Sequence, residues 1–496
     1  MKNLTWQNPG QLFVAQELIK IVKLKYCGIK VNMEITKEYI YEVLTKTFET
    51  MDRVFQDKYI LMNKYDEVPY QLPSDLDIDI TQRDFDKLDQ YVIEIAKQTQ
   101  LAIVQKIWHN YRKCAYILSP TRISSRFRLQ LDFFSDFAVE NTPLLLPWQL
   151  IHQHTRKFNQ FDVPDYDIEY VFLLLRRIYK NDFDKEHCSI IKEVLLKDEK
   201  KVLAFSEIYF GKEVSDKIAM YLKTDNIKAI QEMRSYLWHQ VKDISSKNSS
   251  ISYKVRYWSS QIKRAVYRLK YPVGMYVALL SPDGGGKTSL YNLLAESCWG
   301  AFHGIEKLYF RPRLFKNMGH YKLVNPTEEA KSNPNPHDVV LDGFFKSFAR
   351  FMFYNFDFLL GYWKIVFRKR VQKKLVIFDR YYYDYYIDMF RYKYSLPTWM
   401  PRLFSFMIPT PEIVFVLNGK PETLYSRKQE LSLEELKDQT EKYKQLKNRV
   451  KNVHLISVEQ DLKDEVLDVT YNIIWTKAFK TAKAMGINID KNGVPV

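Results

Sequence analysis

Two groups of residues in this chain have the types and spacing that chemistry requires. The first is Asp283, Gly284, Gly285, Gly286, Lys287, Thr288 and Ser289, inside the run MYVALLSPDGGGKTSLYNLL from Met275 to Leu294. Three consecutive glycines let backbone N–H groups wrap an anion with no β-carbon in the way, and a helix starting there aims its own free N–H groups at the same point. Lys287 then stands where an ammonium group reaches β and γ phosphates, and Thr288 where a hydroxyl ligates Mg²⁺. One position departs from the G-x-x-x-x-G-K-[ST] spacing: Ser281 stands where the first glycine belongs. The second group is PSDLDIDI, Pro73 to Ile80. On a strand, Asp75, Asp77 and Asp79 project from one face while Leu76, Ile78 and Ile80 turn to the core. Asp132, in RLQLDFF, supplies a further acid between apolar neighbours. Two acids on one strand and a third on an adjacent one can hold two Mg²⁺ ions.

The elements that must position the first group are legible around it. MYVALL reads as a short buried strand, and an amphipathic helix is predicted from Lys287. A second apolar strand, Leu375 to Phe378, ends in Asp379 and Arg380 within LVIFDRYYYDYYID, and in a parallel sheet a strand ending in Asp delivers a carboxylate beside the phosphates. Strand, glycine turn and helix followed by Asp-Arg-aromatic resemble the thymidylate kinase-like nucleotide and nucleoside kinases, over most of residues 270–480. The resemblance implies ATP binding with Mg²⁺ and phosphoryl transfer. It places Ile413 to Leu417 as the next strand, Arg427 as a lid arginine, and Arg311 in FRPRLF against a phosphate of the acceptor. FRPRLF, DRYYYDYYIDMFRY and RKQELSLEELKDQTEKYKQL are similar to a subfamily that accompanies surface-polysaccharide biosynthesis. Lys287, Asp379, Arg380 and Arg427 are the catalytic candidates. Thr288 and Asp379 are the metal candidates, and Arg311 and Arg380 the acceptor contacts. With a phosphate as acceptor no strong base is needed; with a sugar hydroxyl, Asp379 or Asp384 becomes the candidate base.

Ser74, Asp75, Asp77 and Asp132 resemble the metal site of the polymerase-beta-like nucleotidyltransferase superfamily, in which a helical domain often follows. In that reading the three acids hold Mg²⁺ and Ser74 contacts substrate. The upstream Gly-Ser turn of that superfamily is replaced by Asn63 and Lys64 in YILMNKYDEVP, so an active nucleotidyltransferase and a degenerate binding domain both stand. Arg122, Arg126 and Arg128 alternate in TRISSRFRLQLDFF and are candidates to receive substrate phosphates.

Together these elements predict an α/β protein. A parallel-sheet P-loop kinase-like domain flanked by helices (253–496) follows an α+β nucleotidyltransferase-like domain (1–160) and a small helical bundle with its linker (161–252). The bundle rests on EYVFLLLRRIYK, SIIKEVLLK and SDKIAMYLK, with apolar residues at three and four spacing, and the linker on the Ser-rich DISSKNSSIS from Asp243 to Ser252. The 496 residues are 46% hydrophobic and 27% charged, which excludes a collagenous or largely disordered chain. Lys plus Arg number 75 against 59 Asp plus Glu, a balance of +16 that favours phosphate-bearing partners. Four scattered cysteines fit a reducing compartment, and the opening MKNLTWQNPGQLF lacks the apolar core of an export signal, so a cytoplasmic enzyme is expected. The aromatic segment Phe344 to Phe367 is broken by Lys346, Arg350, Asp357 and Lys364 and reads as a packed helix over the acceptor cleft rather than a membrane span. The basic helix Lys254 to Pro272 reads as an interdomain helix with a solvated face, with peripheral membrane or nucleic-acid contact as the alternative. His152 and His154 receive no site. The expected function is phosphoryl transfer from ATP to a phosphorylated nucleotide or sugar in glycan precursor or nucleotide metabolism, with a nucleotidyltransferase module. Its rivals are nucleic-acid end processing and nucleotide binding without turnover.

Overall fold

The computed structural model describes residues 35–137, 145–247, 250–315 and 341–496. The opening segment read for export, Cys27, and residues 248–249 of the Ser-rich stretch lie outside the described residues. Helices of seven residues or more are numbered below.

The first sheet has the order β1-β2-β5-β4-β3, from β1 (Ile60–Leu61), β2 (Leu76–Asp79), β3 (Ala102–Asn110), β4 (Lys113–Ser119) and β5 (Leu129–Phe134). β2 and β5 run parallel with Asp77 directly opposite Asp132, and the other pairs are antiparallel. Helices α1 (Lys37–Val54) and α2 (Leu88–Thr99) bury Val43, Leu44, Val92 and Ile95 in the core that Leu76, Ile78 and Leu131 also enter. The acid face of β2 is covered too, with Asp77 and Asp79 buried. The reason lies beyond the strand. The helical block α3 (Tyr166–Lys180), α4 (Lys185–Lys197), α5 (Glu199–Phe210), α6 (Lys212–Lys223) and α7 (Ile227–Lys247) sets Arg176 against Asp77, and His152 covers Asp79. The block closes around Val171, Leu174, Leu175, Leu195 and Leu237. The small hairpin β6 (Thr155–Phe158) and β7 (Phe161–Pro164) precedes it.

After α8 (Ile251–Lys270) comes the second sheet, β8 (Met275–Leu280), β9 (Ile305–Tyr309), β10 (Leu375–Asp379), β11 (Ile413–Asn418) and β12 (Val453–Ser457). Its order is β12-β11-β8-β10-β9 and every pairing is parallel, the expected α/β arrangement of a parallel sheet flanked by helices. Strands buried on both faces need unbroken apolar runs, and MYVALL is buried at all six positions. The chain fills one side of β8 with β9 and β10 and then crosses back to add β11 and β12 on the other. The C-terminal end of β8 is therefore the switch point at which a parallel sheet opens a crevice.

Helices α9 (Lys287–Ser297), α10 (Phe344–Gly361), α11 (Pro421–Arg427), α12 (Leu433–Gln445) and α13 (Leu462–Met485) surround this sheet. α10 buries Phe351 and Phe358 against Tyr381, Tyr382 and Tyr385 but leaves Phe345, Phe356 and Leu360 exposed, so only one of its sides is packed. No helix among the described residues is long and apolar enough to cross a membrane. Cys114, Cys188 and Cys298 are free and buried.

One hydrophobic core joins the two sheets, taking Ala102 and Phe127 from the first half and Leu294, Phe302, Val469 and Ile473 from the second. Across that seam Thr481 Oγ1 donates to the Val104 carbonyl at 2.8 Å, and Gln105 donates to the Ala301 carbonyl. Arg122 pairs with Asp468 at 2.6 Å and Arg126 with Glu296 at 2.5 Å. These two arginines, read above as candidates for substrate phosphates, hold the halves together instead.

Lys477 of α13 is buried in the same region and donates to the Pro272 carbonyl at 3.0 Å. Burial pushes it down to about 7, against the opposing pull of Glu412. Between that value and the free-lysine value of about 10.4, the folded state binds fewer protons than the unfolded chain, so this group adds stability as pH rises. Below about 7 the penalty for the buried charge is fully in place. Lys477→Met is expected to melt above wild type at pH 6.5, with the gap closing toward pH 9; thermal unfolding of both proteins across that range checks the sign.

Candidate nucleotide and metal sites

The glycine turn follows β8 at the switch point. Gly284 and Gly286 adopt φ of 82° and 76°, a region that disfavours side chains, and Gly286 caps α9. A β-carbon on Gly285 would lie 1.7 Å from Ser281 Oγ, and one on Gly284 would lie 2.5 Å from the Leu424 carbonyl. The loop is thus closed down on Ser281, which explains how serine fills the position where the motif has glycine. The carbonyl of Ser281 accepts from Lys287 Nζ at 3.2 Å, holding the ammonium group back over the loop. Burial, aided by the Arg380 guanidinium, pushes Lys287 down to about 8. Thr288 and Ser289 are exposed on the first turn of α9.

Parallel pairing of β10 with β8 sets Asp379 opposite Leu279, so its carboxylate emerges beside the loop. Asp379 Oδ2 lies 3.1 Å from Lys307 Nζ, while Oδ1 is buried with no hydrogen-bond partner among the described residues. A buried oxygen left open next to a hydroxyl-bearing phosphate loop fits a hard divalent cation such as Mg²⁺. Arg380 follows in a left-handed conformation, φ 69°, with its N–H on the Leu279 carbonyl at 3.1 Å. Its guanidinium joins Asp283 Oδ1 at 2.8 Å and Asp384 Oδ2 at 3.1 Å. Arg391 reaches the other Asp283 oxygen at 2.5 Å and Asp388 at 2.9 Å. Asp384 also accepts from the hydroxyls of Tyr392 and Tyr443, each at 3.1 Å, and burial raises it.

Two candidates sit differently from their expected roles. Arg311 is buried and held by Asp357, with its ring-facing side over Tyr354. Arg427 is exposed and donates to the Val458 carbonyl at 3.0 Å. Beside it, Lys428 carries its Cβ to within 3.5 Å of the Cβ position of Gly284 in the glycine turn, and its ammonium group pairs with Glu430 at 2.8 Å. Lys307, Arg391 and Lys428 were not singled out by sequence reasoning. Arg391 lay in DMFRY and Lys428 next to the lid arginine, so both had a visible motif nearby.

The second group also converges. Ligand oxygens of Asp75, Asp77 and Asp132 all lie within 4.8 Å of one another. Asp79 stays apart, facing His152 Nε2 at 3.4 Å, and burial pushes it up to about 6. His154 is likewise engaged by Asp167 at 2.8 Å. Asp77 Oδ2 accepts from Asn63 Nδ2 at 2.7 Å and from Arg176, and Asp75 accepts from Ser74 Oγ at 2.8 Å. Burial pushes Asp132 up to about 6, with Lys113 opposing. Three carboxylates suit a hard cation, and Arg176 pairs with one of them, Asp77. The adjoining cleft, about 780 Å³, has a mixed lining: Lys64, Arg128, Arg156, Arg176 and Lys180 alternate with Asp66, Glu169, Asp182, Glu186 and Glu193, and His303 of the second half joins them.

No family model and no curated protein matches this chain. Among solved structures it is similar to the thymidylate kinase from Ehrlichia chaffeensis, at 20% identity and a TM-score of 0.26, over 40% of this chain and 97% of that one. A likeness of that depth decides nothing about substrate, and the sites stand on their own geometry.

The close fit of Gly285 over Ser281 makes a paired prediction. Gly285→Ala forces the new methyl into Ser281 Oγ and is expected to weaken binding of a fluorescent ATP analogue at least tenfold. Ser281→Gly in the same chain vacates that space and is expected to recover most of the loss, read by the same titration.

Proposed function

We propose that this protein binds Mg·ATP at the glycine turn and transfers the γ-phosphoryl group to a phosphorylated nucleotide or sugar. One observation carries the reading: the β8–turn–α9 unit with Lys287 stands beside the end of β10, where Asp379 keeps a buried oxygen open. Backbone N–H groups of Gly284 to Lys287 would cradle the β and γ phosphates, with Lys287 leaving the Ser281 carbonyl to meet them. Thr288 and Asp379 would hold magnesium, which when bound neutralises charge on the phosphate oxygens. Arg380, tied between Asp283 and Asp384, fixes the loop to the strand end, so charge compensation falls first to Lys287, with Lys428 able to join by leaving Glu430. Arg311 and Arg427 would join only by leaving Asp357 and the Val458 carbonyl.

The choice of acceptor rests on the state of the two candidate bases. Asp384 is fully buried and accepts from Arg380, Tyr392 and Tyr443, and Asp379 lies against Lys307. Neither is poised to take a proton from a sugar hydroxyl, which favours an acceptor that already carries an anionic phosphate. With γ-labelled ATP and a panel of nucleoside monophosphates and sugar phosphates, at least one acceptor is expected to gain label. Lys287→Ala is expected to lower that transfer by roughly a hundredfold or more, the usual scale for losing one charge-stabilising donor. Label appearing in none, or equally with the variant, would count against the proposal.

A second activity has its own support in the convergence of Asp75, Asp77 and Asp132 beside a cleft into which Arg128, Arg156, Arg176 and Lys180 also reach. In this reading the three acids hold the metal and Ser74 contacts the triphosphate of a nucleotidyl donor. Asp77→Ala is expected to abolish pyrophosphate release while leaving phosphoryl transfer within about twofold of wild type. Loss of both in a folded variant would show that the two sites are not independent.

A further inference from the structure

We propose that α8 is a docking helix for an anionic bilayer surface. One face of this helix is fixed to the first sheet. Tyr267 meets Trp108 with ring centres 6.4 Å apart, Tyr253 meets Tyr111 at 6.5 Å, Ser260 is buried, and Arg264 donates to the His109 carbonyl at 3.3 Å. Half a turn away lie Ile251, Val255, Trp258, Ile262, Val266 and Leu269, each between 56% and 81% exposed. Their spacing of four, three, four, four and three residues forms a single stripe along the whole helix. Six aliphatic and aromatic side chains in such a line, left in water by the described residues, are not scattered surface residues but a continuous apolar strip.

The charges beside the strip decide what covers it. From Ile251 to Lys270 the helix carries Lys254, Arg256, Lys263, Arg264, Arg268 and Lys270 and no acid. Among the described residues none of these six forms an ion pair. Arg256, Lys263 and Lys270, seven residues apart, line one flank of the strip, and Lys254 lies on the other. Arg264 and Arg268 turn to the sheet, where they donate to the His109 and Trp108 carbonyls, so a second copy of the helix would bring the four flanking cations against four with no acid between them. A nucleic acid would satisfy the cations but leave the apolar strip uncovered. An anionic bilayer meets both demands at once: the strip sinks to the level of the acyl chains while the flanking lysines and arginines meet lipid phosphates. Twenty residues give a helix of about 30 Å lying in the plane of the interface. The helix joins the middle block to β8, so docking would hold the phosphate-loop half at the lipid surface.

Sedimentation of the full chain with vesicles tests this. The protein is expected to co-sediment with vesicles of phosphatidylcholine and phosphatidylglycerol at 3:1 and not with phosphatidylcholine alone. Trp258→Glu with Ile262→Glu is expected to lower partitioning more than tenfold, with ATP turnover and melting temperature unchanged. Lys254→Gln with Lys263→Gln, which leaves the strip intact, is expected to cost about fivefold per cation removed and to lose its effect in high salt. The proposal is overturned if anionic vesicles do not retain the wild-type chain, or if the glutamate variant still binds them. It is equally overturned if that variant instead dissociates an oligomer or loses only oligonucleotide binding, since the strip would then belong to a protein or nucleic-acid contact. It is overturned too if deleting residues 1–34 is required before any vesicle binds, since the strip would then be covered by the chain's own opening segment.

Discussion

The glycine loop is held in place by a charge that cannot leave. Arg380 is buried between Asp283 and Asp384, and a buried ion deprived of its partner costs about 3–5 kcal/mol. The loop carboxylate and the strand end therefore move together or not at all. The left-handed backbone at Arg380, a conformation costing on the order of 1–3 kcal/mol for such a residue, persists because three oxygens over-determine it: the Leu279 carbonyl and the two carboxylates. The aspartate before the glycines and the arginine after the strand act as one rigid clasp. Among the described residues Lys287 Nζ, by contrast, donates only to the Ser281 carbonyl, a single neutral acceptor.

The same rigidity runs outward through α9. Its first turn carries Lys287 and Thr288. Its last residue, Ser297, shares a hydrogen bond of 2.7 Å with Thr470 of α13, and the turn after it ends at His303 in the wall of the carboxylate cleft. α13 in turn reaches β3 through Thr481. An eleven-residue helix of about 16 Å thus runs from the glycine turn toward the carboxylate cleft, backed along its length by a second helix that touches both sheets. Packed helices rather than a flexible tether lie between the turn and the cleft.

Much of this was legible because buried parallel strands write themselves as unbroken apolar runs. MYVALL, LVIF and IVFVL became β8, β10 and β11 within a residue of their sequence limits. Alternation likewise placed Asp75 and Asp77 on one face. It also placed Asp79 there, outside the cluster, and a period of two names the face and not the neighbours: Asp79 lies about 6.6 Å further along and meets His152. The partners that give the sites their charge state were out of reach. Arg176 stands 99 residues from Asp77, and Asp357 stands 46 residues from Arg311. Nothing local distinguishes these arginines from others on solvated helices. The aromatic helix α10 was ambiguous for a related reason, since phenylalanines all around its circumference give no period from which to choose the packed side.

Arg176 gives the carboxylate cluster a property that an ordinary acidic pocket lacks. Arg176 and Asn63 both engage Asp77 Oδ2, so part of the cluster's charge is met from within the protein. A divalent ion held by the three acids would compete with that guanidinium for the same oxygen. The guanidinium belongs to α3, the first helix of the middle block, so the competition would be felt by that block directly. Occupancy of the first cleft would be reported as a change in how tightly the helical layer grips the sheet beneath it.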